Sequence, residues 1–261
     1  MKPRKVSRKR QQLLLVGELP LIEEFADLGA EKGYEVLAKV NSPFPSKSAS
    51  STFQKVNIAP RKVTLAIELT NINLEQKRKN LLILDKNLPR DVPILSTSVT
   101  ITTTEQSKWI RNSSRLIGFS GFPTLIRARL LEVAPSIPTD ERSLAEAKEF
   151  LWSLGREISI VQDRIGLVMP RLLCMLTNEA AFAVMEEIAT PADIGAAMKL
   201  GTNYPLGPIE WGEKIGVEQV LAALTALYED LGDGRYRAAP LLEQLAVAGP
   251  FWRMKSSSKS P

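Results

Sequence analysis

The stretch QLLLVGELPLIEEFADLGAEKGYEVLAKV, residues 12–40, has the pattern of a strand, a helix and a second strand. Residues 12–17 form a nearly continuous apolar run, which is typical of a strand buried on both faces of a parallel sheet. Residues 20–32 are predicted to form a helix that begins with a proline and ends before Gly33, and residues 34–40 form the second strand. The stretch therefore predicts a parallel sheet covered by helices.

The alternation of strand and helix patterns continues through the first half of the chain. Further strands are predicted at residues 63–69, 92–96, 116–119, 129–133 and 157–162, and further helices at residues 74–84, 105–112 and 139–154. The last of these helices is expected to have Thr139 as its N-cap. This order predicts a doubly wound α/β domain over residues 11–162.

From residue 163 onward the strand patterns give way to helical periodicity. Apolar residues between Val217 and Leu231 recur at the spacing of one helix face. Another helix is predicted to begin at Thr190, with Asp193 in the place of the glutamate of a capping box. These patterns predict a smaller all-α domain over residues 163–250. In its turn at residues 201–208, the two glycines are expected to supply backbone freedom.

The composition excludes several classes of site. The chain has 261 residues, no histidine and one cysteine, Cys174. Catalytic dyads and zinc sites that need histidine are therefore excluded, and a single cysteine makes neither an intrachain disulfide nor a structural zinc site. We expect no metal. Because no apolar run approaches the roughly 18 residues of a membrane helix, we expect a cytoplasmic protein without a membrane partner.

The net charge of +5 is concentrated at the ends of the chain. Residues 1–10 hold six Lys or Arg and residues 253–261 hold three, with no acid in either segment. We interpret residues 1–10 as a basic disordered tail and residues 251–261 as a flexible tail. We therefore expect no nucleic-acid partner, and the alternative is an arm that contacts nucleic acid or an anionic surface.

Four long motifs carry a family resemblance. They are GREISIVQD (155–163), NEAAFAVMEE (178–187), DIGAAMKLGTNYPLGPIEW (193–211) and LYEDLGDGRYRAAPLLEQLAVAG (227–249). In these motifs the chain resembles the 3-hydroxyacyl-CoA dehydrogenase family. The resemblance implies a Rossmann-like NAD-binding domain followed by an all-α dimerisation domain, in agreement with the predicted architecture. It also implies a homodimer formed by the C-terminal helical domain.

The resemblance places the family's dinucleotide loop directly after the first strand. Of the three glycines of the family's GxGxxG motif the chain keeps Gly17, while Leu19 and Ile22 stand at the other two positions. Val40 stands where the family has its ribose-binding acid. The candidate cofactor site is therefore degenerate.

Two further features concern the same cofactor site. Glu18, Glu23 and Glu24 place three carboxylates around the predicted helix start, where they oppose a bound diphosphate. Of the family's NAD-contacting acid and lysine, the acid is replaced by Ile72 and the lysine is retained as Lys77. As a residue on a helix face, Lys77 is expected to be solvated, with contact to a phosphate as the alternative. Gly17 and Lys77 are the candidate cofactor-binding residues.

The family's catalytic residues are replaced in the same manner. Ser120 stands at the position of the family's histidine, and Glu132 stands at that of its glutamate partner. A serine hydroxyl does not take up a proton near neutral pH as an imidazole does. Pro170 replaces the family's asparagine and has no side-chain donor.

The family's substrate-orienting serine falls on Val99, and a shift of one residue in either direction restores a hydroxyl, that of Ser98 or Thr100. The candidate catalytic residues are therefore Glu132, Ser120, Thr100 and Ser98.

These replacements indicate a dehydrogenase-like protein that has kept the fold and lost the chemistry. The leading hypothesis is a dimeric binding or scaffold protein with little or no catalytic activity, no cofactor, or NAD if any, and a small molecule or an acyl-CoA as ligand. One alternative is an NAD-dependent oxidoreductase with residual or altered activity on a 3-hydroxyacyl-CoA or a related small 3-hydroxy substrate. The other is an anionic-surface or nucleic-acid binder that uses the basic N-terminus.

Overall fold

The computed structural model describes residues 11–41, 52–57 and 62–248. The two segments that the sequence analysis interprets as tails, residues 1–10 and 251–261, lie outside these described residues.

The described residues contain eight strands in one sheet: β1 Gln12–Gly17, β2 Glu35–Val40, β3 Gln54–Lys55, β4 Val63–Leu69, β5 Ile94–Thr97, β6 Leu116–Phe119, β7 Leu130–Pro135 and β8 Glu157–Ile160. Their order in the sheet is β3-β2-β1-β4-β5-β6-β7-β8. Strands β1 to β6 are parallel, β7 is antiparallel to β6, and β8 is parallel to β7.

Some helices lie between the strands in sequence, and the others follow the last strand. The helices between strands are α1 Leu19–Glu31, α2 Leu74–Asn87, α3 Thr103–Ser107 and α4 Glu141–Ser153. The helices after the last strand are α5 Met169–Met185, α6 Pro191–Thr202, α7 Pro208–Ile215, α8 Val217–Leu231 and α9 Pro240–Ala248. The predicted fold class, a Rossmann-like α/β sheet followed by a helical region, is confirmed.

Burial on both faces explains why β1 is apolar throughout. Leu13 and Leu15 belong to the core on the face of the sheet that α1 and α4 cover. Leu14 and Val16 point to the opposite face, where they join a second core with Leu81 of α2. Because successive side chains of a strand point to opposite faces, a strand covered on both sides has no position for a polar residue.

The helical region has its own core, in which α5 packs against α7, α8 and α9. The apolar face predicted between Val217 and Leu231 is buried as far as Leu227, whereas Tyr228 and Leu231 at its C-terminal end are about half exposed. Cys174 is completely buried in this core, and burial raises the pKa of its thiol. The predicted helix start at Thr190 is confirmed, since its hydroxyl accepts the N–H of Asp193 at 3.2 Å.

Two helix predictions are wrong at their ends. The helix predicted at residues 105–112 is the short α3, because the N–H groups of Arg111 and Asn112 donate to the Asp85 carboxylate and hold that segment outside the helix. The N-cap of α4 is Asp140 and not Thr139. The Thr139 hydroxyl instead donates to the carbonyl oxygen of Leu116, at 2.7 Å.

The sequence pattern predicts a parallel sheet, but one pair of strands, β6 and β7, is antiparallel. Only residues 120–129 connect β6 to β7, and they contain a single 3-10 turn, Leu125–Arg127. A parallel pair needs a crossover of about a dozen residues or more, most often a helix. The short connection therefore makes β7 antiparallel to β6.

The strand β3 was not predicted from the sequence, and it has only two residues.

The turn at residues 201–208 uses a different residue from the one expected. Asn203 adopts the left-handed conformation, with φ of +57°, at the end of α6. Gly201 lies within α6, whereas a Cβ atom on Gly207 would lie 2.7 Å from the Cα of Gly195. The glycine at 207 is thus required by the close approach of two helices and not by backbone freedom.

Candidate functional site

The carboxyl ends of β1 and β4 form the crevice where the strand order reverses, the usual ligand position in an open α/β sheet. Gly17, the candidate cofactor-binding glycine, ends β1 with φ of +149°. A Cβ atom on Gly17 would lie 2.4 Å from the carbonyl oxygen of Leu69, which also accepts the N–H of Glu18 at 3.0 Å. The contact between the two strands therefore requires the glycine, whether or not a ligand binds.

The Glu18 carboxylate lies at this crevice and is bound by protein groups. Its Oε1 accepts the main-chain N–H of Ile72 at 3.0 Å, and its Oε2 accepts Nε2 of Gln219 at 2.8 Å. Ile72 follows β4, and Gln219 lies on α8. A negatively charged side chain thus connects the crevice of the sheet to the helical region.

The N-terminus of α1 provides few donors for a ligand. Glu18 is its N-cap without a side-chain cap bond, and Pro20 in the first turn has no N–H. Ile22, at the family's third glycine, is fully buried in the core. A dinucleotide diphosphate needs free N–H groups and close approach of the backbone, so the residues present do not fit NAD.

A second carboxylate near this helix is also taken up by the protein. Glu24 on α1 accepts the main-chain N–H of Thr124 with both oxygens, each at 3.0 Å. Burial raises the pKa of Glu24, and the hydrogen bond from Thr124 opposes that shift. Glu24 therefore joins α1 to the loop between β6 and β7.

Lys77, the second candidate cofactor-binding residue, is fully buried, so the expectation of a solvated side chain is wrong. Its Nζ lies 2.5 Å from Oε2 of Glu68 and donates to the carbonyl oxygen of Thr70 and to Oγ1 of Thr97, at 2.9 and 2.8 Å. Burial lowers the pKa of Lys77, and the Glu68 carboxylate counteracts this shift. An ammonium group has three donors, and protein acceptors occupy all three.

The two hydroxyls that flank Val99 differ in position. Ser98 is completely buried, and its Oγ lies 3.5 Å from the carbonyl oxygen of Phe119. Thr100 donates to the carbonyl oxygen of Asn71 at 2.7 Å and lines a cleft. Of the four candidate catalytic residues, Thr100 alone lines that cleft.

Ser120 and Glu132 lie next to each other, as the resemblance implies. Ser120 donates its main-chain N–H to the carbonyl oxygen of Glu132 at 2.9 Å, and its Oγ accepts the N–H of Glu132 at 3.0 Å. Both residues are buried. The serine hydroxyl thus holds the two strand ends together through a main-chain donor, and it has no hydrogen bond to the carboxylate.

The Glu132 carboxylate binds the N-terminus of α5. Its two oxygens accept the main-chain N–H groups of Val168 and Met169, both at 2.7 Å. Pro170, which replaces the family's asparagine, follows in the first turn and has no N–H to donate. The glutamate therefore satisfies two donors of this helix end and acts as a cap, while the N–H of Arg171 donates to the carbonyl oxygen of Gly166.

The cleft has a volume of about 670 Å³ and lies between the sheet and α8. Asn71, Ile72 and Thr100 form its wall on the side of the sheet, and Leu221 and Thr225 belong to its wall on α8. Its lining includes both polar and apolar residues. The cleft can hold a small molecule, since sites for such ligands commonly have about 300–1,000 Å³.

Two residues of this site, Asn71 and Gln219, were not identified from the sequence. Gln219 accepts Nδ2 of Asn71 at 3.1 Å while it donates to Glu18, so the three side chains form one chain of hydrogen bonds. Nothing in the sequence indicates this, because Gln219 is 148 residues from Asn71 and lies in a helix with an apolar pattern.

The described residues contain neither a metal-binding cluster nor a membrane-spanning helix. No group of three or more His, Cys, Asp or Glu side chains there is placed to hold a metal ion. No helix in the same part of the chain has the length and apolar character needed to cross a bilayer.

Comparisons with known proteins agree with the fold. The family model of the 3-hydroxyacyl-CoA dehydrogenase C-terminal domain matches residues 166–258. The crystal structure of (S)-3-hydroxybutyryl-CoA dehydrogenase from Ralstonia eutropha superimposes with a TM-score of 0.75 at 24% identity, covering 92% of this chain and 95% of that one. At this identity the superposition shows the fold alone.

Two curated relatives extend the similarity across most of the chain. The 3-hydroxybutyryl-CoA dehydrogenase of Bradyrhizobium diazoefficiens is 31% identical over 185 residues, 71% of this chain and 63% of the relative. The probable 3-hydroxybutyryl-CoA dehydrogenase of Bacillus subtilis is 30% identical over 230 residues, 88% of this chain and 78% of the relative. With both halves of the sequence matched, the chain belongs to the 3-hydroxyacyl-CoA dehydrogenase family.

Proposed function

We propose that the chain is a 3-hydroxyacyl-CoA dehydrogenase-like protein without dehydrogenase activity, and that it acts as a dimeric binding or scaffold protein. The observation that carries this proposal is the Glu18 carboxylate, which is bound to the N–H of Ile72 and to Gln219 at the crevice of the sheet. A dinucleotide placed there brings its diphosphate next to a like charge, which disfavours its binding.

The acid and base groups support the same proposal. The chain has no histidine, and the Ser120 hydroxyl does not titrate near neutral pH. Both oxygens of Glu132 accept N–H groups of α5, so this carboxylate is engaged as a helix cap. Loss of a general base alone lowers a rate by about 10²- to 10⁴-fold.

The test is reduction of acetoacetyl-CoA by NADH, followed at 340 nm, with the 3-hydroxybutyryl-CoA dehydrogenase of Bradyrhizobium diazoefficiens as the reference. We expect a rate at least about a thousandfold below that of the reference, because the base and the cofactor loop are both replaced. Ser120→His alone is expected to leave the rate unchanged, since it restores only one of the two. Turnover near the reference rate, or a large gain in Ser120→His, would contradict the proposal.

A second candidate function is an NAD-dependent oxidoreductase with altered activity on a small 3-hydroxy substrate. Thr100 favours it, because this hydroxyl lines a cleft of about 670 Å³ at the position that the fold uses for ligands. The same assay separates the two functions, with 3-hydroxybutyrate and NAD as an additional substrate pair. Turnover that Thr100→Val abolishes would favour the oxidoreductase.

The dimer part of the proposal rests on uncovered apolar side chains of the helical region. The most exposed are Ile188 at 70%, Leu200 at 88% and Val247 at 91%. Others at 41–53% are Val168, Met169, Leu172, Met185, Tyr228 and Leu231. Large exposed apolar areas mark interfaces, and a second copy with two-fold symmetry covers them at once on both chains.

A further inference from the structure

The cleft between the sheet and α8 has apolar walls that are open to solvent. Ile72, Leu74 and Ile101 lie on the side of the sheet, and Leu221 and Ala226 lie on α8. Ile72 is 48% exposed and Leu74 is 37% exposed. An occupant that matches these walls has to bring apolar side chains of its own.

The charges of the same cleft have one sign. Its charged lining residues are all acidic: Glu105, Glu218, Glu229 and Asp230. No lysine or arginine among the described residues lines the cleft, and the three acids of α8 form no ion pair in this part of the chain. Glu229 and Asp230 lie in the last turn of α8, where the helix dipole disfavours acids. The matching occupant is therefore basic as well as apolar.

The chain itself continues from the cleft with a segment of this composition. Ala246 of α9 lines the cleft, and α9 ends at Ala248. The sequence goes on as GPFWRMKSSSKSP, residues 249–261, which lie outside the described residues. This C-terminal segment has three bases and no acid, and its large apolar residues are Phe251, Trp252 and Met254.

The length of the C-terminal segment suits the cleft. An extended chain spans about 3.3 Å per residue, so the three residues from Ala248 to Phe251 reach about 10 Å and the eleven from Ala248 to Lys259 reach about 36 Å. Glu218 and Glu229 are about 16 Å apart along the axis of α8, because eleven residues at 1.5 Å each separate them. The segment is therefore long enough to follow the acids of α8.

We propose that the C-terminal segment docks in the cleft between the sheet and α8 of its own chain, with Phe251 and Trp252 against the apolar walls and with Arg253 and Lys255 beside the acids of α8. Attachment to α9 gives the segment an effective concentration of about a millimolar, so contacts that are weak one by one are sufficient. This inference goes beyond the proposed function and does not depend on it, because it concerns occupancy of the cleft by the chain itself.

Limited digestion of the full chain with trypsin tests the proposal, because trypsin cuts after Arg253 and Lys255. The N-acetylated peptide of residues 249–261 gives the cleavage rate of the undocked segment. At low salt we expect cleavage in the full chain to be about tenfold slower than in the peptide, since proteolysis follows the population of the open form. At about 0.3 M salt the two rates should converge, because salt screens the charges. Equal rates at low salt would overturn the proposal.

Variants of the full chain test both kinds of contact, each compared with a peptide of its own segment sequence. Glu218→Gln/Glu229→Gln/Asp230→Asn is expected to bring cleavage at low salt within about twofold of the peptide, because it removes several exposed charge pairs. Phe251→Ser/Trp252→Ser should have the same effect although every charge remains.

The control for these variants is Glu243→Gln, an exposed acid on α9 that does not line the cleft and is closer in sequence to the segment. It should keep the slow cleavage of the unmodified chain. Slow cleavage in the triple variant, or an equal loss in Glu243→Gln, would overturn the site.

A disulfide places the segment in the cleft. In Thr225→Cys/Met254→Cys the first cysteine lines the cleft and the second lies in the C-terminal segment. We expect a disulfide within one chain, detected on a non-reducing gel and by peptide mapping, and the native Cys174 does not compete because it is completely buried. Glu179→Cys/Met254→Cys, with an exposed position on α5 outside the cleft, is the control and should form far less. Equal yields in the two variants, or a disulfide that joins two chains, would overturn the proposal.

Discussion

Three carboxylates, those of Glu18, Glu24 and Glu132, each accept main-chain N–H groups from a different segment of the chain. Each also joins parts of the fold that are distant in sequence, Glu18 across 201 residues to Gln219. Hydrogen bonds to a charged acceptor contribute about 1.5–3 kcal/mol each, so these side chains are candidates for stabilising roles. Of the three, Glu132 stands at the position that the resemblance assigns to the family's catalytic glutamate, and its carboxylate makes structural contacts here.

Glu132→Gln tests this reading at a candidate catalytic residue. The carboxamide keeps one acceptor oxygen and turns its NH₂ group toward the N–H of Val168 or Met169. We expect a loss of about 1–3 kcal/mol in the free energy of unfolding, measured by urea denaturation, because a buried donor loses its partner.

The control for that substitution is Glu149→Gln, an exposed glutamate on α4, which should change the free energy of unfolding by less than about 0.5 kcal/mol. An unchanged stability in Glu132→Gln would mean that the carboxylate does not cap α5.

Sequence reasoning identified several of these residues but not their contacts. The resemblance placed Ser120 beside Glu132, and the structure has them hydrogen-bonded through the main chain. The burial of Lys77 was not predictable, because its partner Glu68 is nine residues earlier on a strand and the polar pattern of α2 favours a solvated side chain. Pairwise contacts of this kind depend on packing between elements, which a single sequence does not encode locally.

At the scale of elements, the N-cap of α4 gives a prediction with a defined pH dependence. Asp140 accepts the N–H of Ser143 at 2.7 Å, and this hydrogen bond lowers the pKa of Asp140. A lowered folded-state pKa means that the stabilisation is complete above the unfolded-state pKa of about 3.9 and is lost as the pH falls through the folded-state pKa. Asp140→Ala should therefore cost about 1 kcal/mol at pH 7 and progressively less below pH 4.

Asp140→Ser is the matched variant for that measurement. Serine keeps an N-cap acceptor that does not titrate, so its advantage over Asp140→Ala should be independent of pH. Urea denaturation at pH 3, 4, 5 and 7 gives both differences. A cost of Asp140→Ala that is the same at pH 3 and pH 7 would contradict the cap.

The elements themselves were largely predictable, for a physical reason. A strand that is buried on both faces has a continuous run of apolar residues, as β1 does. A helix that is buried on one face has apolar residues at helical spacing, as α8 does. The prediction fails where a long-range contact determines the end of a helix, as in α3. It also fails where a strand is too short to show a pattern, as in β3. The antiparallel direction of β7 follows from the length of its connection, which the pattern of strands alone does not show.

At the scale of the whole molecule, the proposed dimer makes a prediction about mass. Light scattering at micromolar concentration should give twice the 28.9 kDa of one chain, with an interface of about 1,600 Å² or more. The variant Ile188→Lys/Leu200→Lys places charges on the exposed apolar surface of the helical region and should give the single-chain mass. Trp152→Lys, at a side chain 57% exposed on α4, is the control and should remain dimeric.

A single-chain mass for the unmodified protein would contradict this assembly. A variant with both Ile188→Lys and Leu200→Lys that remains dimeric would also contradict it.

We expect the crevice of this family member not to bind the dinucleotide, because the Glu18 carboxylate and Pro20 stand where a diphosphate needs N–H donors. Calorimetric titration of NADH into the purified protein measures this binding, with Glu18→Gly as the companion variant. We expect no detectable heat at millimolar NADH for the unmodified protein. Micromolar NADH binding by the unmodified protein would contradict it.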